Sequence, residues 1–79
     1  MRVRVRYYAA LREAAGRDEE LIESEAADAE GLLHELRARH GFAIPRAGIR
    51  LARNGQPADW SAPLADGDRI ELLPPYSGL

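Results

Sequence analysis

The side chains that could carry out chemistry are few in this sequence, and their spacing does not assemble a catalytic or metal site. His34 and His40 are six positions apart in one predicted helix, so they point to different faces and cannot share a metal ion. Roles at the surface or at the end of the helix are favoured for both. The sequence has no phosphate-binding glycine loop and no plausible Ser/His/Asp set. We therefore expect no catalytic residue, no metal ion and no bound cofactor.

The acidic residues and the single tryptophan have structural explanations. The run Asp18-Glu19-Glu20 is expected in a solvated turn, and Asp66 and Asp68 flank a turn glycine. Trp60 is expected to cap a small core rather than to contact a partner. None of these groups predicts an enzymatic reaction.

The last eight residues, LLPPYSGL, have a composition that suits a binding tail. Pro74 and Pro75 end the preceding strand and stiffen the chain into an extended form. Nothing in the sequence offers residues 76–79 a strand to pair with, so we expect them to be mobile in the free protein and ordered only in a partner. The sequence thus predicts a domain at residues 1–75 and an extended C-terminal tail at residues 76–79.

Hydrophobic periodicity predicts the elements that position this tail. VRVRYY alternates as a half-buried strand, AALREAAG favours a short helix, and EELIESE is a weaker strand at a sheet edge. The main helix is predicted between a capping Asp28 and Gly41. IRLARN, an Asn54-Gly55 hairpin turn, QPADW and RIELL complete the strands.

These elements predict an α+β fold in which a small mixed sheet packs against one main helix, with the first and last strands at its centre. The expected core combines residues from both central strands and the helix stripe: Val3, Val5, Leu32, Leu36, Ile70 and Leu72.

Two apolar side chains are predicted at the root of the tail. Tyr8 and Leu73 fall on the face opposite Val3 and Ile70, a face that is otherwise charged. If the first and last strands run parallel, Tyr8 and Leu73 lie together where the tail departs. An apolar patch in that place indicates a docking surface, and the alternative is an ordinary exposed tyrosine and leucine.

Composition excludes several classes of partner. The net charge of −2 gives no electrostatic argument for nucleic acid, and no apolar run approaches the length of a membrane helix. The absence of cysteine excludes disulfides and thiolate metal sites and fits a cytoplasmic protein. All eleven basic residues are arginine, so only the N-terminus could accept an acyl group.

The sequence resembles the small subunits of molybdopterin synthase in the MoaD/ThiS family of sulfur carriers, which have a ubiquitin-like β-grasp fold. The resemblance spans essentially the whole chain and is carried by VRYYAALREAAG, DAEGLLHELRARHG, LARNGQ, PLADGDRIELLPP and PPYSGL.

The resemblance implies a carrier mechanism with no catalytic side chain in the carrier. An E1-like activating enzyme uses ATP to adenylylate the terminal carboxylate, and a sulfur donor converts it to a thiocarboxylate. The tail then inserts into the large subunit of molybdopterin synthase. Gly78 and Leu79 would form the sulfur-carrying end, and the partner-binding residues would be Tyr8, Leu73, Pro74, Pro75, Tyr76 and Ser77.

Two positions depart from the family pattern. The family ends in Gly-Gly where this chain has Gly78-Leu79, and an apolar residue usually precedes Asn54 where this chain has Arg53. Because Leu79 lies where the family has a bare α-carbon, we expect the chain to bind the large subunit but to accept sulfur poorly. Two alternatives remain open. One is a degenerate binding module without sulfur, and the other is a carrier for thiamine synthesis, transfer RNA thiolation or ubiquitin-like tagging.

Overall fold

The chain forms strands and helices in the predicted order in a computed structural model that describes residues 1–75. The predicted tail at residues 76–79 lies outside the described residues. The elements are β1 Arg2–Tyr7, α1 Ala10–Ala15, β2 Glu19–Glu23, α2 Ala29–His40, β3 Arg50–Arg53, β4 Gln56–Pro57 and β5 Arg69–Leu73, with a short 3₁₀ turn at Arg46–Gly48.

The strands within residues 1–75 form one mixed sheet in the order β2-β1-β5-β3-β4. β1 and β5 pair in parallel, and the other neighbours are antiparallel. The first and last strands are therefore interior and β2 lies at an edge, as predicted. Since parallel strands end at the same side of a sheet, the end of β1 and the departing C-terminal segment meet there.

Local sequence signals fix both helices. The side chain of Asp28 accepts a hydrogen bond from Gly31 N at 2.9 Å and caps α2, and Gly41 ends the helix with a left-handed φ of 72°. Gly16 ends α1 in the same conformation. One face of α2 is buried against the sheet, and the buried residues are Ala29, Leu32, Leu33 and Leu36.

The hydrophobic core confirms the predicted set. It includes all six expected residues, Val3, Val5, Leu32, Leu36, Ile70 and Leu72, each no more than 1% exposed. Trp60 is partly buried against this core, in agreement with its predicted capping role.

The returning strand of the hairpin is shorter than QPADW suggested. β4 ends at Pro57, Ala58 N still donates to the Leu51 carbonyl of β3 at 3.0 Å, and the chain then crosses to the start of α2. There the carbonyls of Trp60 and Ala62 accept hydrogen bonds from Glu30 N at 2.9 Å and Ala29 N at 3.0 Å. The first amides of a helix lack partners within the helix, so this loop supplies acceptors that a longer strand would not.

Candidate partner-binding surface at the tail root

The pairing of β1 with β5 brings Tyr8 beside Leu73, as the sequence predicted for parallel strands. Tyr7 is in register with Leu72, and Tyr8 N donates to the Leu72 carbonyl at 3.2 Å. Leu11 N in turn donates to the Tyr8 carbonyl at 3.1 Å, so α1 begins immediately beyond this contact. The root of the tail is thus bonded to the end of β1 and lies close to the start of α1.

Leu73 is buried, whereas the sequence predicted it in an exposed apolar patch, and its contact with a partner stays a prediction. Its side chain is only 5% exposed, although it lies outside the main core cluster. Alternation assigned it correctly to the outer face of the sheet. On that face it lies in an inner strand, between β3, where Arg50 is its register partner, and the end of β1. Neighbours on both sides bury a leucine there, and alternation alone cannot reveal this.

Tyr8 is partly exposed but has polar partners. Its hydroxyl donates to Glu71 Oε2 at 2.6 Å, and the Arg6 guanidinium lies 5.5 Å from the centre of its ring. The hydrogen bond to Glu71, with a smaller contribution from burial, raises the pKa of Tyr8 above its ordinary value. Tyr8 is therefore an aromatic residue that polar contacts fix on a charged face of the sheet, and it does not form an apolar patch with Leu73.

An apolar pocket of about 120 Å³ does lie at the tail root. Its lining includes Tyr8, Ala10, Leu11, Ile44, Pro74 and Pro75. The sequence pointed to Tyr8 and the two prolines but not to Ile44, which is the last residue of the apolar run Phe42-Ala43-Ile44 in the loop after α2. The pocket therefore combines three segments that are distant in the sequence.

Ala9, which also lines this pocket, has an unusual backbone. Its φ of 51° and ψ of −126° lie in a region that favours glycine. This conformation turns the chain from β1 into α1 within one residue. Such strain persists only where the surrounding structure imposes it, and it is often found at functional sites.

The prediction of a solvated turn at Asp18-Glu19-Glu20 holds for Asp18, which is exposed in the bend before β2, but not for Glu20. Glu19 and Glu20 belong to β2, and the Glu20 side chain is 5% exposed. Its carboxylate lies 2.7 Å from His40 Nε2 and within 4 Å of Arg17 and Arg39. The edge strand turns Glu20 inward beneath the end of α2, where cationic groups converge on it.

The two histidines have separate environments. His34 is exposed, while His40 packs edge-on against Tyr7 and parallel to Phe42. Burial, followed by the nearby Glu20 carboxylate, raises the pKa of Tyr7. Within residues 1–75 no three metal-ligating side chains come together.

The turn before β5 contains one exposed aspartate, Asp66, and one buried aspartate, Asp68, on either side of Gly67 as predicted. Asp68 is 6% exposed, and its carboxylate accepts hydrogen bonds from Ala65 N at 2.8 Å, Arg53 Nε at 2.9 Å and Asn54 Nδ2 at 3.0 Å. This contact gives Arg53, the departure from the family pattern, a structural partner. The cluster lies at the start of β5, at the far end of the sheet from the tail root.

Four of the predicted site residues, Tyr76, Ser77, Gly78 and Leu79, lie outside the described residues. For the part of the chain that the structure describes, no helix has the length and apolar character needed to span a membrane.

Comparison with known proteins identifies the family. The sequence pattern of the ThiS family matches residues 5–78, whereas no curated protein sequence gives a significant match. A Pyrococcus furiosus protein named as subunit 1 of molybdopterin converting factor is 33% identical, with 95% of this chain and 98% of that chain covered and a TM-score of 0.80.

Two further solved structures share this fold over nearly their whole length. Small archaeal modifier protein 1 from Haloferax volcanii is 25% identical, with coverage of 94% of this chain and 97% of that chain and a TM-score of 0.81. A chain in the Helicobacter pylori complex of subunits 1 and 2 of molybdopterin-converting factor is 30% identical, with 99% of each chain covered and a TM-score of 0.71. The chain described here has the β-grasp fold and belongs to the ThiS family of ubiquitin-like sulfur carriers.

Proposed function

We propose that this protein is the sulfur carrier of molybdenum cofactor biosynthesis, acting as the small subunit of molybdopterin synthase. The observation that carries the proposal is the parallel pairing of β1 with β5, which puts the end of the last strand next to Tyr8 and the apolar pocket. The tail therefore leaves from an inner strand beside a surface that a partner can cover. The similarity to subunit 1 in the Helicobacter pylori complex supports the large subunit as that partner.

The proposed chemistry takes place at the C-terminus, at Gly78-Leu79. An E1-like enzyme joins the terminal carboxylate to the AMP moiety of ATP and releases pyrophosphate. A sulfur donor then displaces AMP, and the product is a thiocarboxylate. Inside the large subunit this sulfur forms a bond to a carbon of the pterin precursor as a carbon–oxygen bond of the precursor breaks, and water then hydrolyses the resulting thioester and regenerates the carboxylate. The activating enzyme is the protein that uses ATP. We propose that these reactions take place in the cytoplasm.

The domain contributes binding rather than catalysis in this proposal. Pro74 and Pro75 stiffen the start of the tail and lower the entropy lost when it enters a narrow channel. Tyr8, Leu73 and Tyr76 would lie at or next to the partner contact, with Leu73 supporting it from a buried position. Ser77 and Gly78 are small enough for a narrow channel.

A second candidate function is protein modification through the same C-terminus. It is favoured by the similarity to small archaeal modifier protein 1, at a TM-score of 0.81. In that case the activated terminus would form an amide with a lysine of a target protein. The chain itself has no lysine, so products would carry single modifiers rather than chains built through side-chain amines.

The test compares the parent chain with Leu79→Gly and with a variant that ends at Gly78. Each is incubated with the activating enzyme and sulfur donor of molybdopterin synthesis and ATP, and thiocarboxylate is measured by intact mass. We expect slow sulfur loading of the parent and faster loading of Leu79→Gly, because a branched side chain obstructs a site shaped around glycine. Loaded protein is then mixed with the large subunit and the pterin precursor.

The outcomes separate the candidates. Formation of dithiolene by loaded Leu79→Gly supports the molybdopterin pathway. Loading without transfer to the pterin, together with amide products on other proteins, favours the modifier. If no form of the C-terminus accepts sulfur, the carrier proposal is wrong. If the parent loads as fast as Leu79→Gly with Leu79 still present by mass, only the steric argument fails.

A further inference from the structure

The face of the sheet that points away from α2 carries an arginine groove, defined here as the space between Arg4, Arg6 and Arg69. The register of β1 and β5 sets Arg4 beside Arg69 and Arg6 beside Glu71. With Glu19, these side chains line a volume of about 280 Å³. All three arginines are exposed. The groove is therefore open to a partner.

The positive charges of the groove are only partly balanced within the domain. Arg4 Nη1 lies 3.2 Å from Glu19 Oε1, so this arginine has an ion pair. The other acid, Glu71, accepts the hydroxyl of Tyr8 at 2.6 Å. Among the described residues, Arg6 has no hydrogen bond or ion pair through its side chain, and its guanidinium lies 5.5 Å from the centre of the Tyr8 ring. Among residues 1–75, the guanidinium of Arg69 has no hydrogen bond or ion pair.

Stability gives no reason for placing Arg4 opposite Arg69. Like charges directly opposite each other on neighbouring strands repel, and Arg4 and Arg69 are such a pair. The chain as a whole carries a net charge of −2, so the groove is a local excess of positive charge on an acidic protein. Within residues 1–75, Arg69 therefore has no ion pair, and Arg6, although in register with Glu19 and Glu71, has no ion pair with either of them.

We propose that the arginine groove docks an acidic segment of a partner protein, with Arg6 and Arg69 each binding a carboxylate. The planar guanidinium presents paired donors that match a carboxylate. Glu19 and Glu71 also line the groove, and the flexible side chains of an acidic peptide can place carboxylates on the arginines and away from these two acids, whereas the phosphates of a nucleic acid are fixed along one backbone.

The groove adjoins the tail-root pocket through Tyr8. The ring of this residue contacts Arg6 on one side, and the residue also lines the pocket beside Pro74. One partner could therefore cover both surfaces, with its acidic segment in the groove while the tail is bound. This inference concerns docking and holds whichever chemistry the C-terminus carries out.

The experiment uses unlabelled hexaglutamate as the probe and follows the arginine Nε–Hε signals of the intact protein by NMR. Hexaglutamine controls for the peptide backbone, and a deoxythymidine hexanucleotide controls for a general anion. Arg69→Gln removes one guanidinium from the groove. Arg12→Gln is the matched control, since Arg12 is exposed and pairs with Asp18 outside the groove. Titrations are done at low and at physiological ionic strength.

We expect hexaglutamate to shift the Arg6 and Arg69 signals, and binding to weaken with salt. Arg69→Gln should weaken the binding of hexaglutamate roughly fivefold or more, because it removes one hydrogen bond to a charged group. The affinity of Arg12→Gln for hexaglutamate should stay within about twofold of that of the parent. Arg69→Gln should melt no lower than the parent because it removes a repelling charge, so weaker binding would not reflect unfolding. Four results would each overturn the proposal. The first two are no shift of the Arg6 and Arg69 signals with hexaglutamate, and equal affinity of Arg69→Gln and Arg12→Gln for hexaglutamate. The other two are that the parent binds hexaglutamine as tightly as hexaglutamate, or binds the hexanucleotide more tightly than hexaglutamate.

Discussion

Asp68→Ala should destabilise the domain strongly, although Asp68 is not part of the hydrophobic core. The Asp68 carboxylate accepts hydrogen bonds from Ala65 N, Arg53 Nε and Asn54 Nδ2, all at 2.8–3.0 Å. Asn54 Oδ1 accepts in turn from Arg69 N at 2.9 Å. One buried side chain therefore joins the end of β3, the turn before β5 and the first residue of β5.

The magnitude follows from the donors that would lose their acceptor. Each hydrogen bond contributes about 1 kcal/mol net, and one to a charged group contributes somewhat more. Arg53 is 34% exposed and can turn to water, so we count it at the lower value and expect a total cost of about 3 kcal/mol. Unfolding free energies are about 0.05–0.15 kcal/mol per residue, or roughly 4–12 kcal/mol for this chain. The melting temperature should fall by roughly 10–20 °C.

The assay is thermal unfolding followed by circular dichroism, with Asp66→Ala as the control. Asp66 accepts one hydrogen bond, from Arg2 N at 2.7 Å, and is exposed, so its loss should cost only about 1 kcal/mol. If Asp68→Ala melts within a few degrees of Asp66→Ala, the argument from buried hydrogen bonds is refuted.

The effect of Asp68 should also depend on pH. Burial by itself would raise the pKa of Asp68, but hydrogen bonds from Asn54, Ala65 and Arg53 outweigh it and hold the pKa below the ordinary value of 3.8. A carboxylate with a lowered folded-state pKa stabilises fully above its unfolded-state value and loses this contribution as the pH falls through the folded-state value. The difference between parent and Asp68→Ala should therefore be largest near neutral pH and shrink below pH 3.8. A difference that stays constant in acid would show that the charge of Asp68 does not matter.

Two further substitutions test the core and the strained turn. Leu36→Ala, at a side chain that is 1% exposed, should cost roughly 2–5 kcal/mol, whereas Leu21→Ala, at the 54% exposed edge, should stay within about 0.5 kcal/mol by urea unfolding. Equal midpoints for the two would show that the stripe of α2 is misassigned. Ala9→Gly should raise the stability by about 1 kcal/mol, because glycine adopts a φ of 51° without strain, and Ala10→Gly within α1 should lower it. A lower melting temperature for Ala9→Gly would refute the strain.

The sequence by itself determined the elements and the main core. Alternation in VRVRYY and the helical spacing of Leu32 and Leu36 placed side chains on the correct faces, because a single local period controls where they point. Asp28, Gly16 and Gly41 fixed helix ends through hydrogen bonds or backbone conformations that involve only neighbouring residues. The similarity carried by the whole chain predicted the family that the comparisons confirm.

Only the tertiary structure decided the character of the candidate surface. Whether Tyr8 meets Leu73 depended on the parallel pairing of β1 and β5, which the periodicity of either strand leaves open. Tyr8 is bonded to Glu71, 63 positions away in the sequence, and Glu20 is buried under His40, 20 positions away. A local pattern states which face a side chain occupies, but its burial and its polar partners depend on strands and helices that only the folded chain brings beside it.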